Sequence, residues 1–200
     1  QNHQKSNDTK EISLNYEINT ISKKKKRIKI INTHQQIIDK LFEYLDFLQT
    51  PHPNFNNMPI CPFIQGDLHT DNIQFIVYNS SMDKSLVDIV KEWKESRFKT
   101  GLVLHIGDDL KTIKRKPYQK FLNEQLRENG MGDIKILLFS PFEDFNITGV
   151  DTRKQAPCML YNLATREDLS KAQKKLQKTK WYDNLLTEDF KKLNIKKKIL

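Results

Sequence analysis

Two cysteines in 200 residues, Cys61 and Cys158, are too few for a disulfide framework or a four-thiolate zinc site. A reducing intracellular compartment, cytoplasmic or organellar matrix, is therefore the expectation. No apolar run approaches the roughly 20 residues that a helix needs to cross a bilayer. Residues 1–22 lack the apolar h-region of a secretory signal, and Gln1 in place of an initiator Met suggests a processed form or a fragment. The length suits one domain with tails and is too short for two well-packed domains. With 37% hydrophobic and 10% aromatic residues, the chain is not compositionally disordered, and a globular core is expected.

The positive charge sits at the ends. Residues 1–30 carry eight Lys/Arg against three Asp/Glu, and residues 171–200 carry ten against three. Of the total of +9, this leaves the middle 140 residues at −3. A pI near 9.4 would otherwise point to a nucleic-acid footprint on the domain, but the basic runs are Lys23, Lys24, Lys25, Lys26 and Arg27 at one end and Lys196, Lys197 and Lys198 at the other. Such tails can reach a polyanion or a larger assembly, or can simply be solvated ends.

Periodicity divides the chain into a polar tail (1–30), a domain (31–180) and a Lys-rich tail (181–200). Apolar positions 37, 38, 41, 42, 44, 45 and 48 predict an amphipathic helix over 34–48, with Thr33 as N-cap and Pro51 as stop. Residues 50–72 hold four of the seven prolines and are expected to form a long loop without regular elements. Strands are predicted at 73–78, 101–106, 134–139 and 158–163. Helices are predicted to be capped by Asp83, opened by Pro117 and capped by Thr165. The order α-β-α-β-α-β-β-α implies an α/β or α+β fold with about four strands, partly parallel, and packed helices.

In such sheets, ligands bind outside the carboxyl ends of the parallel strands. Acidic residues follow the first three strands: Asp83, then Asp108 and Asp109, then Glu143 and Asp144. Asp108 and Glu143 are candidate general bases or oxygen ligands, although acids between a strand and a helix are more often caps and turn formers. Cys61, held between Pro59 and Pro62, is a candidate nucleophile or redox thiol. The competing reading is a small hydrophobe plugging the loop. Arg153 is a candidate anion binder through its planar fork, or a surface ion pair. His105, inside an apolar strand, reads as a satisfied core residue. His3, His34, His52 and His69 show no ligand spacing, so no metal site follows, and no cofactor can be named.

The string Gln65-Gly66-Asp67-Leu68-His69-Thr70-Asp71-Asn72 looks like the catalytic loop of aminoglycoside and choline kinases, with Asp67 as base, Asn72 as magnesium ligand and Asp88 as a possible second ligand. Its context argues against that role. The 66 preceding residues hold neither a Gly-rich phosphate loop nor a strand lysine.

Cys61-Pro62-Phe63, Phe139-Ser140-Pro141, Phe145 with Gly149, Arg153 with Pro157, and Arg166-Glu167-Asp168 occur in an order that resembles the small bacterial proteins of domain of unknown function 1415. The chain lacks that pattern's Asn-x-Thr-Asn-Arg lead-in and the second proline of its closing segment. The resemblance implies that Cys61 and Arg153 face one site, and it brings no reaction with it. Two functional expectations result: a small enzyme or anion-binding domain with a pocket at Cys61 and Arg153, or a basic accessory subunit of a ribonucleoprotein or organellar complex.

Overall fold

The computed structural model describes residues 32–183 apart from positions 71 and 108, together with Leu185, Glu188 and Asp189. Helix α1 (Asn32–Gln49) arises from the expected apolar stripe and buries Ile38, Leu41, Tyr44, Leu45 and Leu48. The proline-rich segment departs from expectation because it contains short regular elements. Strands β1 (Pro51–His52) and β2 (Met58–Pro59) pair as a small hairpin, and Pro53–Phe55 forms a 3-10 turn. Helix α2 (Ile64–His69) follows. Proline is tolerated because Pro53 opens the turn, where no N–H partner is needed, and Pro51 and Pro59 lie on strands of only two residues. Asn56 and Asn57 (φ 58 and 56) supply the left-handed residues that reverse the chain.

Strand β3 (Ile73–Asn79) leads to helix α3 (Leu86–Glu95), strand β4 (Thr100–Ile106), helix α4 (Arg115–Glu128) and strand β5 (Ile134–Phe139). Two short strands, β6 (Asn146–Ile147) and β7 (Val150–Asp151), pair with each other before strand β8 (Met159–Thr165) and helix α5 (Arg166–Leu176). The cap of α3 is Ser85, not Asp83. The Ser85 hydroxyl accepts from Asp88 N, and the Asp88 carboxylate accepts from Ser85 N, forming a reciprocal box that satisfies two orphan donors. Helix α4 opens two residues before Pro117, which then occupies the first turn, where its missing N–H costs nothing. Thr165 caps α5 as expected, accepting from Asp168 N at 3.0 Å.

The main sheet has the order β3-β4-β8-β5. β3 and β4 are parallel, and β8 runs antiparallel to both β4 and β5, so β3, β4 and β5 all point the same way. Alternation along the strands divides the core into two layers. Phe75, Leu102, Leu104 and Leu160 face α1, the proline-rich segment and Trp181. Val103, Ile134, Ile136, Leu138, Tyr161 and Leu163 face α3 and α4. The packed chain continues past residue 180, since Trp181 and Leu185 are buried and the Trp181 indole donates to Pro59 O at 2.9 Å. No helix among the described residues is long and apolar enough to cross a membrane.

At Gly101 the Trp93 side chain of α3 packs directly over the sheet. A Cβ there would stand 2.9 Å from both Leu163 Cδ1 and Trp93 Cδ1, and both side chains are buried. Gly101→Ala is therefore expected to cost about 1–3 kcal/mol through overpacking. In urea unfolding this should lower the midpoint at unchanged slope; an unchanged midpoint would contradict this packing.

Candidate functional site

Because β8 runs against its neighbours, the carboxyl ends of β3, β4 and β5 share one edge, and β8 enters there through Cys158 and Met159. Arg153 reaches this edge from the loop that follows β7. A tight hairpin positions it, with Thr148 (φ 49) and Gly149 (φ 81) making the turn between β6 and β7; the positive φ at both positions is what such a turn requires. The Asp151 carboxylate then accepts from the backbone N–H groups of Arg153 (3.1 Å) and Lys154 (3.0 Å). From α1, the Tyr44 hydroxyl donates to Thr152 O at 2.7 Å. Residue 153 is thus fixed from both sides.

The Arg153 side chain turns inward and is only 7% exposed. Its Cζ lies 3.3 Å from the Phe145 ring centroid and 5.3 Å from that of Phe139. Its Nε and Nη1 are buried and have no hydrogen-bond acceptor among the described residues. Arg153 was expected either to bind an anion or to form a surface ion pair. It is not at the surface, and among the described residues it makes no ion pair. Burial, reinforced by the nearby Arg115 charge, pushes its pKa down to about 9, which still leaves it cationic at neutral pH.

Arg115, the first residue of α4, is buried beside the same aromatic ring, with its Cζ 5.3 Å from the Phe145 centroid. Lys114 provides no side-chain cap for α4. Glu143 does this from a distance: its Oε1 accepts from Arg115 N at 2.7 Å, and its Oε2 lies 3.7 Å from Arg115 Nε. Glu143, singled out as a candidate catalytic base, is thus engaged as a tertiary helix cap and as the partner of Arg115. The second candidate base, Asp108, lies outside the described residues, as do Lys23–Lys26, Arg27 and Lys196–Lys198.

Cys61 packs in the α1-side core layer, and its backbone N–H donates to Leu48 O at 2.8 Å. Burial pushes its thiol pKa up, against the weaker pull of the Phe63 and Ile64 backbone N–H groups. The neutral thiol suits packing better than nucleophilic attack. Tyr44 belongs to the same core layer as Cys61. Its hydroxyl is raised well above the ordinary phenol range by burial, and within this shift the Arg153 charge lowers it while Cys61 and Asp151 raise it. Cys158 is buried on the same side of the sheet, its thiol pushed up to about 12 by burial alone. A small cavity nearby, lined by Ile38, Leu41, Phe42, Phe75, Val77 and Leu104, is wholly apolar and includes none of the site residues.

The kinase-like string lies at the opposite edge, where α2 feeds into the start of β3. The Thr100 hydroxyl donates to Asp67 Oδ2 at 3.1 Å, and Asn72 Nδ2 donates to Thr70 Oγ1 at 2.6 Å. Asp88 is committed to its capping box. No cluster of three or more His, Cys, Asp or Glu among the described residues is arranged to hold a metal ion.

Three members of the arginine site were not anticipated: Arg115, Phe145 as the stacking platform, and Tyr44. Arg115 directly precedes Lys116-Pro117 at a helix start, where arginine is usually solvated, so local pattern gave no hint of its burial. His105 is buried as expected, and its ring nitrogens contact Ser80 and Tyr161, neither of which stood out in the sequence. Comparison with protein-family models, with curated proteins and with solved structures found no match.

Substitution of Arg153 separates stability from recognition. A charged group buried without a partner is destabilising, and an apolar replacement of similar shape is often neutral or better. Arg153→Met keeps a side chain on the Phe145 ring and is expected to be as stable as wild type or up to about 2 kcal/mol more stable in urea unfolding at neutral pH. A loss of several kcal/mol would instead make Arg153 a structural residue.

Proposed function

We propose that the chain is a small α/β anion-binding domain in which the Arg153 guanidinium recognises the carboxylate or phosphate of a small ligand. The observation that carries this reading is a guanidinium more than nine-tenths buried, with Nε and Nη1 unpaired. Each of these N–H groups is a charge-assisted donor of the kind that binds carboxylate and phosphate oxygens. Buried donors without acceptors are costly, so a stable fold that keeps them marks a site held for a ligand. Arg115 adds a second positive charge, and Glu143 pairs with Arg115, not with Arg153. The Phe145 ring holds the fork in one plane. Cys61 packs in the core layer that also holds Tyr44 and Phe145, and the reading assigns it no chemical step.

A ligand that binds only the folded state raises stability by RT ln(1 + [L]/Kd), about 2.7 kcal/mol at 100 times Kd. Phosphate also stabilises proteins nonspecifically by exclusion from their surfaces, so the informative quantity is a difference between variants. In thermal unfolding, inorganic phosphate is expected to raise the wild-type midpoint several degrees more than that of Arg153→Met. Equal shifts in the two proteins would refute the anion site.

A second reading is supported by the division of charge, with +5 and +7 in the two 30-residue ends around a middle of −3. Under it, the chain is an accessory subunit whose Lys-rich ends lie against a polyanion. Binding to single-stranded RNA should then weaken steeply between 50 and 200 mM salt and be lost on deletion of residues 1–30 and 191–200. Binding that ignores salt would count against phosphate contact.

A further inference from the structure

On the other face of the sheet, the same edge carries an arrangement that the anion-binding reading does not use. The side chains of Tyr78 and Ser80 follow β3 on the α3/α4 side, and His105 occupies the adjacent position on β4, in register with Tyr78. His105 is 2% exposed. Its Nε2 lies 2.8 Å from Ser80 Oγ, while its Nδ1 is hydrogen-bonded to the Tyr161 hydroxyl of β8. Tyr78 packs its ring against the imidazole, with centroids 4.7 Å apart, and the Tyr161 ring packs at 5.5 Å. Ser80 itself is exposed at the tip of the strand, where the turn is held by Asn79 Oδ1 accepting from Ser81 N and Ser81 Oγ.

We propose that Ser80 is a nucleophilic serine, with His105 as its general base and Tyr161 as the group that orients the imidazole, and that the site acts on acyl esters. A nucleophile within hydrogen-bond reach of a base, with that base held by a third group, is the arrangement that activates a serine. Here the third group is a phenol in place of a carboxylate. Tyr161 stays neutral, because burial raises its hydroxyl far above the ordinary phenol range, assisted by a hydrogen bond to Tyr118 of α4. Its single proton has acceptors in the Tyr118 hydroxyl and in Met159 Sδ at 3.5 Å. A lone pair is then left to accept from His105 Nδ1–H, and the unprotonated Nε2 faces Ser80 Oγ–H. That tautomer is the one a general base requires.

The step balances without any further reagent. Ser80 Oγ bonds to the ester carbonyl carbon as its proton passes to His105 Nε2. The alkoxide leaves with that proton as an alcohol, and water, activated by the same nitrogen, then releases the acid and restores Ser80. Tyr161 contacts no reacting atom and is a positioning residue. The neighbouring Ser81 is also exposed, but its hydroxyl is bonded to Asn79 Oδ1, so it serves as an internal control.

A fluorophosphonate ester tests this on the full chain. Attack by Ser80 Oγ forms the P–O bond, expels fluoride and passes the serine proton to His105. Peptide mapping by mass spectrometry should place the adduct on Ser80 and not on Ser81, and Ser80→Ala should abolish it. Tyr161→Phe should lower the maximal labelling rate about tenfold or more at an unchanged half-saturating probe concentration, in a protein whose near-ultraviolet circular dichroism shows it folded. Loss of the base in His105→Gln should cost about 100-fold or more. Absence of a Ser80 adduct, equal labelling of Ser80 and Ser81, or wild-type labelling in Tyr161→Phe would overturn the proposal.

Discussion

The structure around the carboxyl-end edge of the sheet is organised by one unfavourable fact, the burial of the Arg153 guanidinium with two of its donors unpaired among the described residues. Removing an ion from water costs several kcal/mol even after relaxation. The Phe145 face, 3.3 Å from Cζ, returns about 2 kcal/mol when the pair is desolvated. The remainder is borne by the surrounding fold. The β6–β7 hairpin, the Asp151 turn and the Tyr44–Thr152 bond each fix the backbone of this loop, and none forms an ion pair with the guanidinium, on which Glu143 and Asp151 act only from a distance. The Asp151 carboxylate accepts backbone N–H groups. A site maintained against local stability in this way is the pattern expected where recognition, not packing, selects the residue.

The antiparallel insertion of β8 makes this concentration of side chains possible. With β8 between β4 and β5, three parallel carboxyl ends and the loop leading into β8 meet at one edge while the sheet remains only four strands wide. The two faces of that edge then differ in chemistry. On the α1 side, arginines, a carboxylate and phenylalanines gather around Phe145. On the α3/α4 side, a serine, a histidine and a tyrosine are joined by hydrogen bonds. Helix α4 contributes to both, Arg115 from its first residue and Tyr118 one turn later.

The architecture was legible in the sequence because its signals are local. The four main strands and the alternating helices follow from apolar periodicity, and Thr165 was identifiable as a cap from the acids behind it. Where expectation and structure part, tertiary contacts or turn chemistry decide. Helix α4 starts at Arg115 and not at Pro117 because Glu143, 28 residues away, caps it. Short elements run through the proline-rich segment because Asn56 and Asn57 accept left-handed backbone there. Arg153 could be singled out from its residue type and loop position, but its burial depends on Phe139 and Phe145, which no spacing rule connects to it. Ser80 and Tyr161 were hidden for the same reason: their significance comes from the β3–β4 and β4–β8 registers, which bring them to His105.

The most direct measurement of the central claim is the 15N-detected NMR signal of the arginine Nε–H groups during titration with inorganic phosphate. The account predicts that the Arg153 resonance, assigned by its loss in Arg153→Met, exchanges slowly with water and shifts saturably as phosphate is added, while exposed arginines such as Arg97 and Arg127 move little. An Arg153 signal that stays fixed while those surface arginines respond would contradict it.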